Sequence, residues 1–304
     1  MRLLNASGCL DALAAPEAAR TLDAYVTKTV TPLPREGNAP VRIAETDVGM
    51  LNAIGLPNPG IDAFVAEHLP RLAALGVPLW VSVGGFSAAD YVHVAKRIDD
   101  EAIDALELNL SCPNVDEVPE NVADVVAAVR AVTAKPLYAK LSAAVADLGA
   151  TARAAEAAGA DGLSLVNTVR GLALDERTLR PVLARGAGGL SGPALRPVAL
   201  AAVHTCFRET RLPLVGMGGV STGRHALELL AAGATDVAVG TALFSDPAAA
   251  ARIRLELKAE LATLGFASPD NAVGAAHVPE EATLDPGSRV RPRKSLHIGA
   301  NMTG

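Results

Sequence analysis

The stretch Ala105-Leu106-Glu107-Leu108-Asn109-Leu110-Ser111 decides the fold, together with residues 122–134 and Pro136-Leu137-Tyr138-Ala139-Lys140-Leu141-Ser142. Two nearly continuous apolar runs flank a helix-forming segment. Such runs, rather than strict alternation, mark parallel strands buried on both faces. The same unit recurs outward in both directions. Strands are predicted at residues 3–8, 26–30, 79–85, 105–111, 136–142, 162–168, 213–219 and 236–244. Helices are predicted at 63–75, 89–103, 122–134, 148–158, 194–208, 224–232 and 247–264, with Gly76, Gly159 and Gly233 as stops. Eight such strands, each followed by a helix or a long connection, imply an α/β chain folded as one closed (β/α)8 TIM barrel over residues 1–266. An irregular tail, 267–304, is expected to follow. The alternative, an open doubly wound sheet, is weakened because no G-x-G-x-x-G follows the first strand. Residues 31–59, rich in Pro, Gly and Asn, form an insertion after the second strand and should build on the active-site face.

The composition narrows the function. Half of the 304 residues are apolar, only 3% are aromatic, and the net charge is −6. That balance argues against a nucleic-acid binder. The basic cluster Arg289-Val290-Arg291-Pro292-Arg293-Lys294 reads as a solvated tail. Cys9, Cys112 and Cys206 lie far apart with no CxxC pair, so neither a disulfide framework nor a metal site is expected. No signal peptide and no apolar run of about 18 residues is visible, so a soluble, cytoplasmic protein without membrane contact is expected.

Chemistry in a barrel gathers at the C-terminal ends of its strands. The fourth predicted strand ends in Asn109-Leu110-Ser111-Cys112-Pro113-Asn114. A single loop cysteine is more often structural than reactive. Here, however, the thiol could take a proton from carbon while the carboxamides read an imide-like or carboxylated ring. Other strand ends carry Asn5-Ala6-Ser7-Gly8, Lys28-Thr29, Lys140-Leu141-Ser142 and Asn167-Thr168. A lysine buried at a strand end is costly unless it meets an anion or a polar cofactor. The last two strands end in Gly216-Met217-Gly218-Gly219 and Gly240-Thr241, whose backbone amides suit a phosphate. The loop Gly188-Gly189-Leu190-Ser191-Gly192 could touch the same cofactor.

In this order the blocks resemble the dihydroorotate dehydrogenase family. The resemblance rests on Asn5–Gly8, Lys28, Arg35-Glu36-Gly37-Asn38, Asn52-Ala53-Ile54-Gly55-Leu56-Pro57-Asn58, Asn109–Asn114, Lys140-Leu141-Ser142, Val166-Asn167-Thr168, Gly189–Pro193 and Gly216–Gly219. It covers most of the chain. The run Arg42-Ile43-Ala44-Glu45-Thr46 leading into Gly49-Met50-Leu51-Asn52 looks most like the class 1B branch. The resemblance implies an FMN enzyme that oxidises (S)-dihydroorotate to orotate in pyrimidine biosynthesis. In it, Cys112 removes the C5 proton and hydride passes from C6 to flavin N5. It assigns Lys28, Asn52, Ile54, Gly55, Leu56, Asn109, Asn114, Asn167 and Thr168 to the substrate. It assigns Ala6, Ser7, Gly8, Lys28, Lys140, Ser191, Gly192, Gly218, Gly219, Gly240 and Thr241 to FMN. A homodimer, and a separate FAD and iron–sulfur subunit that carries electrons to NAD, are expected of class 1B.

Three departures from the family pattern stand out. The chain begins almost on its first strand, so either the true start lies upstream or the barrel floor is covered in another way, as by the C-terminal tail. Residues 115–120 are short, acidic and lack the family's glycines, which bears on water exclusion and ring specificity. The basic tail has no counterpart. The alternatives are a related flavoprotein acting on another dihydropyrimidine such as dihydrouracil, and a flavin-binding subunit with little activity.

Overall fold

The structure, a computed structural model, describes residues 1–110 and 121–277. Twelve strands occur among them: β1 (Leu3–Asn5), β2 (Tyr25–Val26), β3 (Ile43–Thr46), β4 (Gly49–Asn52), β5 (Leu79–Val83), β6 (Ala105–Asn109), β7 (Leu137–Leu141), β8 (Gly162–Leu165), β9 (Val169–Gly171), β10 (Gly188–Ser191), β11 (Leu214–Met217) and β12 (Asp236–Val239). Eight of them form one parallel sheet in the order β1-β12-β11-β8-β7-β6-β5-β2. A parallel bridge, Leu4 to Ala24, joins its two ends. The expected (β/α)8 barrel is present, and all eight predicted strands lie within it.

Each predicted strand stops short of its expected C-terminal end. Beyond these ends Ala6 and Asn167 each donate one more backbone hydrogen bond, to Val239 and Leu141, and Ser7-Gly8 and Thr168 then reach the mouth. The joint between β1 and β2 is closed by a side chain. Asn5, fully buried, donates from Nδ2 to the Val26 carbonyl at 2.8 Å and accepts from the Val26 N–H at 2.8 Å. Its carboxamide thus does what a backbone ladder does elsewhere.

Helices Ala88–Ile98, Val122–Arg130, Leu148–Ala157, Arg196–Glu209, Gly223–Ala232 and Ala249–Thr263 cover the outside. Their starts follow local chemistry: Ser87 and Asp90 form a reciprocal capping box, and Asn121, Asp147 and Thr222 accept from first-turn N–H groups. Gly233 ends its helix at φ 118°, and a Cβ there would lie 2.3 Å from the Phe207 ring. Only glycine fits on both counts.

Side-chain alternation divides the core. Leu106 and Leu108 of β6 belong to the large shell between sheet and helices, while Ala105 joins an inner cluster with Leu4, Val26, Trp80, Tyr138, Val215 and Met217. With a period of two, Glu107 and Asn109 share the inward face with Ala105. The barrel interior is therefore apolar at its floor and becomes polar toward its mouth. Arg2 lies over that floor. Its guanidinium stacks 5.0 Å from the Trp80 ring centroid, pairs with Asp236 at 2.8 Å and donates to Tyr138 Oη at 3.1 Å.

A second sheet, not expected from the sequence, stands beside the barrel sheet. β3, β4, β10 and β9 form a four-stranded antiparallel layer, so 188–191 is a strand rather than the loop expected. The insertion after β2 supplies two strands, and a second excursion between β8 and β11 supplies the other two. The tail is not irregular throughout: Pro269–Ala272 makes one helical turn, Gly274 N–H donates to the Leu230 carbonyl, and Met1 meets Asp270. No helix among the described residues is long and apolar enough to cross a membrane.

Candidate active site

The strand ends and the small sheet enclose one cavity of about 330 Å³. The described residues that the resemblance assigns to substrate or FMN all line it: Lys28, Asn52, Ile54, Gly55, Leu56, Asn109, Asn167 and Thr168 of the first set, and Ala6, Ser7, Gly8, Lys28, Lys140, Ser191, Gly192, Gly218, Gly219, Gly240 and Thr241 of the second. Cys112 and Asn114 lie outside the described residues, as does the acidic stretch 115–120.

The carboxamides are organised by one another. Asn167 Nδ2 donates to Asn109 Oδ1 at 3.1 Å, and Asn109 Nδ2 donates to Thr29 Oγ1 at 3.2 Å. Asn52 Nδ2 donates to the Gly189 carbonyl at 3.2 Å, tying β4 to β10. Residues 52–56 are held from behind: Asn38 Nδ2 reaches the Ala53 carbonyl, and Arg35 Nε reaches that of Gly55. Arg35 also sits 4.6 Å over the Phe86 ring. Leu56 adopts φ 57°, a left-handed conformation that costs a leucine energy and that such bracing can sustain.

Two lysines bring positive charge to the cavity. Lys140 pairs with Glu107 at 3.3 Å, and both side chains are almost wholly buried. A buried Lys140 requires an anion or a polar cofactor, and Glu107 supplies the anion. Lys28 lies along Gly8, where a Cβ would come within 2.8 Å of its Cδ. Gly8 has φ 75°, so the backbone favours glycine, whereas the flexible end of Lys28 could shift to admit a Cβ.

The wall built by the last strands is largely backbone. A Cβ on Gly219 (φ 69°) would lie 2.8 Å from Arg196 Cβ and 2.9 Å from the Gly192 carbonyl oxygen. Thr241 Oγ1 donates to Ser191 Oγ at 2.8 Å, drawing the β12 end and β10 together. Helix Gly223–Ala232 follows this wall, and its first N–H, from Gly223, donates to the Glu256 carboxylate at 2.7 Å.

Several lining residues had been given no ligand role from the sequence, among them Cys9, Thr29, Met50, Val166, Leu195, Met217 and Phe244. Thr29 stood beside Lys28 and is a hub of the amide network. Burial pushes the Cys9 thiol up, against the opposing pull of Lys140 and Lys28. Cys9 is therefore a neutral wall residue near pH 7. No group of three His, Cys, Asp or Glu among the described residues could hold a metal ion.

Three kinds of likeness bear on this site. A dihydroorotate dehydrogenase family model matches residues 2–261. The catalytic subunit of dihydroorotate dehydrogenase B (NAD(+)) of Desulforudis audaxviator is 48% identical over 264 residues, covering 84% of this chain and 86% of that protein. The protein of the same name in Geobacillus kaustophilus is 43% identical over 285 residues, covering 90% of each. A solved dihydroorotate dehydrogenase from Eimeria tenella, in complex with ferulenol, aligns with a TM-score of 0.76 over 91% of this chain and 85% of that chain. At 24% identity it speaks to the fold alone. On the extent of the family match and the identity to these relatives, the chain belongs to the dihydroorotate dehydrogenase family.

Proposed function

We propose that this chain is the catalytic subunit of a B-type dihydroorotate dehydrogenase, oxidising (S)-dihydroorotate to orotate in pyrimidine biosynthesis with FMN as its cofactor. The observation that carries this reading is the single cavity at the barrel mouth. It combines two lysines, three carboxamides and a glycine-rich wall. The donor set fits FMN. Backbone amides at Gly192, Gly218, Gly219 and Gly240, with Ser191 and Thr241, suit its phosphate. Lys28 and Lys140 suit the electron-rich edge of its ring, and Ala6, Val166 and Met217 offer apolar surface to the ring faces.

FMN, when bound, supplies the two-electron acceptor for the hydride leaving dihydroorotate C6. The chain's own part is to bind and orient the substrate and to move a proton. Asn52, Asn109 and Asn167 present amides to the ring's imide and carboxylate, and Asn114 joins them by the family pattern. Cys112, two residues beyond the described end of the β6 segment, takes the C5 proton. A thiol with an ordinary value near 8.5 is a usable base, more so beside cations. The named relatives are catalytic subunits of NAD(+)-linked enzymes, which supports a cytoplasmic assembly with a separate FAD and iron–sulfur subunit. A homodimeric catalytic unit is part of the same proposal.

The assay is anaerobic flavin reduction by dihydroorotate in a stopped-flow instrument. Cys112→Ala should retain FMN yet reduce it about 10²–10⁴-fold more slowly, the usual worth of a positioned base. Near-normal reduction would remove Cys112 from that role.

A further inference from the structure

The hydrogen bonds behind the cavity run in one determined direction. The Thr168 backbone N–H can only donate, and it donates to Asn167 Oδ1 at 2.9 Å. Asn167 must therefore turn Nδ2 toward Asn109, which accepts through Oδ1. That leaves Asn109 Nδ2 to donate to Thr29 Oγ1. With its oxygen accepting, the Thr29 hydroxyl can pass its own hydrogen to Ser82 Oγ at 3.0 Å or Ser7 Oγ at 3.4 Å. Ser7 is able to receive it, because its own hydrogen goes to the Thr27 carbonyl at 2.9 Å. One backbone donor thus fixes the orientation of two carboxamides.

We propose that Thr29 is a positioning residue for substrate recognition: its hydroxyl accepts from Asn109 Nδ2 and anchors a carboxamide whose orientation the Thr168 N–H sets through Asn167. With Asn109 Oδ1 engaged by Asn167, its second N–H is what it offers a ligand, and the matching ligand atom is an acceptor, a carbonyl or carboxylate oxygen. This rests on the reading of the cavity as a dihydroorotate site. The geometry favours threonine in particular. Thr29 is buried, and a Cβ on Gly84 would lie 2.6 Å from Thr29 Cγ2, so the missing Cβ makes the seat for that methyl. A β-branched side chain seated in this way keeps one χ1 and one aim for its hydroxyl. Tyr91 Oη, donating to the Asn109 carbonyl at 2.7 Å, fixes the backbone of the same residue.

The test uses the FMN-loaded protein and two variants. Thr29→Val keeps the shape and removes the hydroxyl, and Thr29→Ser keeps the hydroxyl and removes the methyl. Orotate affinity, read from the flavin spectrum, should weaken about 10-fold in Thr29→Val and by less than about 3-fold in Thr29→Ser, the scale of one hydrogen bond whose buried donor is left unpaired. KM for dihydroorotate should rise with it while kcat changes little and FMN content not at all. Hydrogen exchange at the Asn109 side-chain amide, followed by NMR with labelled asparagine and no substrate present, should quicken about 10-fold in Thr29→Val. Unchanged orotate affinity and exchange in Thr29→Val, or equal weakening in both variants, would overturn the proposal. A parent protein that binds no orotate would instead count against the dihydroorotate reading, and the exchange measurement would still decide the role of Thr29.

Discussion

Asn5→Ala is the sharpest test of how the barrel closes. The Asn5 carboxamide satisfies both the N–H and the C=O of Val26, each at 2.8 Å, at a residue 1% exposed. Removing it leaves two buried backbone groups without those partners, each costing about 1–3 kcal/mol, so a loss of about 2–6 kcal/mol is expected. Asn5→Asp should be no better. It keeps an acceptor for the Val26 N–H but sets a carboxylate oxygen against the Val26 carbonyl. The consequence extends to the cavity, because Ala6-Ser7-Gly8 and Lys28 leave this joint directly for the mouth. Urea unfolding followed by circular dichroism gives the stability change, and hydrogen exchange localises it to the Val26 amide. A loss below about 1 kcal/mol with unchanged exchange at Val26 would refute the claim that this side chain closes the sheet.

Other consequences follow from single contacts. Glu107→Gln removes the carboxylate facing Lys140 in the barrel interior and should cost about 3–5 kcal/mol of stability, part of which Lys140→Met recovers in the double variant. Full additivity of the two changes in denaturation would argue against the pair. Gly219→Ala places a Cβ on a left-handed backbone between Arg196 and the Gly192 carbonyl, so FMN affinity should fall at least about 10-fold by equilibrium dialysis. Unaltered FMN binding would remove this turn from the phosphate wall. His225 is held below the ordinary imidazole value of 6.5, chiefly by burial and secondarily by Arg196. The unfolded chain therefore binds the proton more readily. The stability contribution is complete above about pH 6.5 and is lost as pH falls through the lowered folded value. Melting temperatures between pH 8 and 5 should decline less steeply in His225→Gln, and parallel profiles would contradict this.

Much of the barrel was legible because each strand is a short, nearly continuous apolar run followed by a helix. The runs overshot the ladders because residues such as Ser7-Gly8 and Thr168 look like strand yet lie at the mouth. The antiparallel layer was not legible. Its central pairing joins Gly49–Asn52 to Gly188–Ser191, far apart in sequence, and glycine-rich strands carry little local signal. Lys140 was legible as an expensive burial, while its partner Glu107 sat in plain view at an inward position of β6. Thr29 was passed over because a hydroxyl beside a lysine announces nothing until its neighbours are placed in space.

The central claim is that this cavity oxidises dihydroorotate. Mixing the FMN-loaded protein anaerobically with (S)-dihydroorotate, and separately with dihydrouracil, tests it most directly. Dihydroorotate should bleach the flavin with stoichiometric formation of orotate, while dihydrouracil should leave it oxidised. Flavin reduction by dihydrouracil alone, or by neither compound, would contradict it.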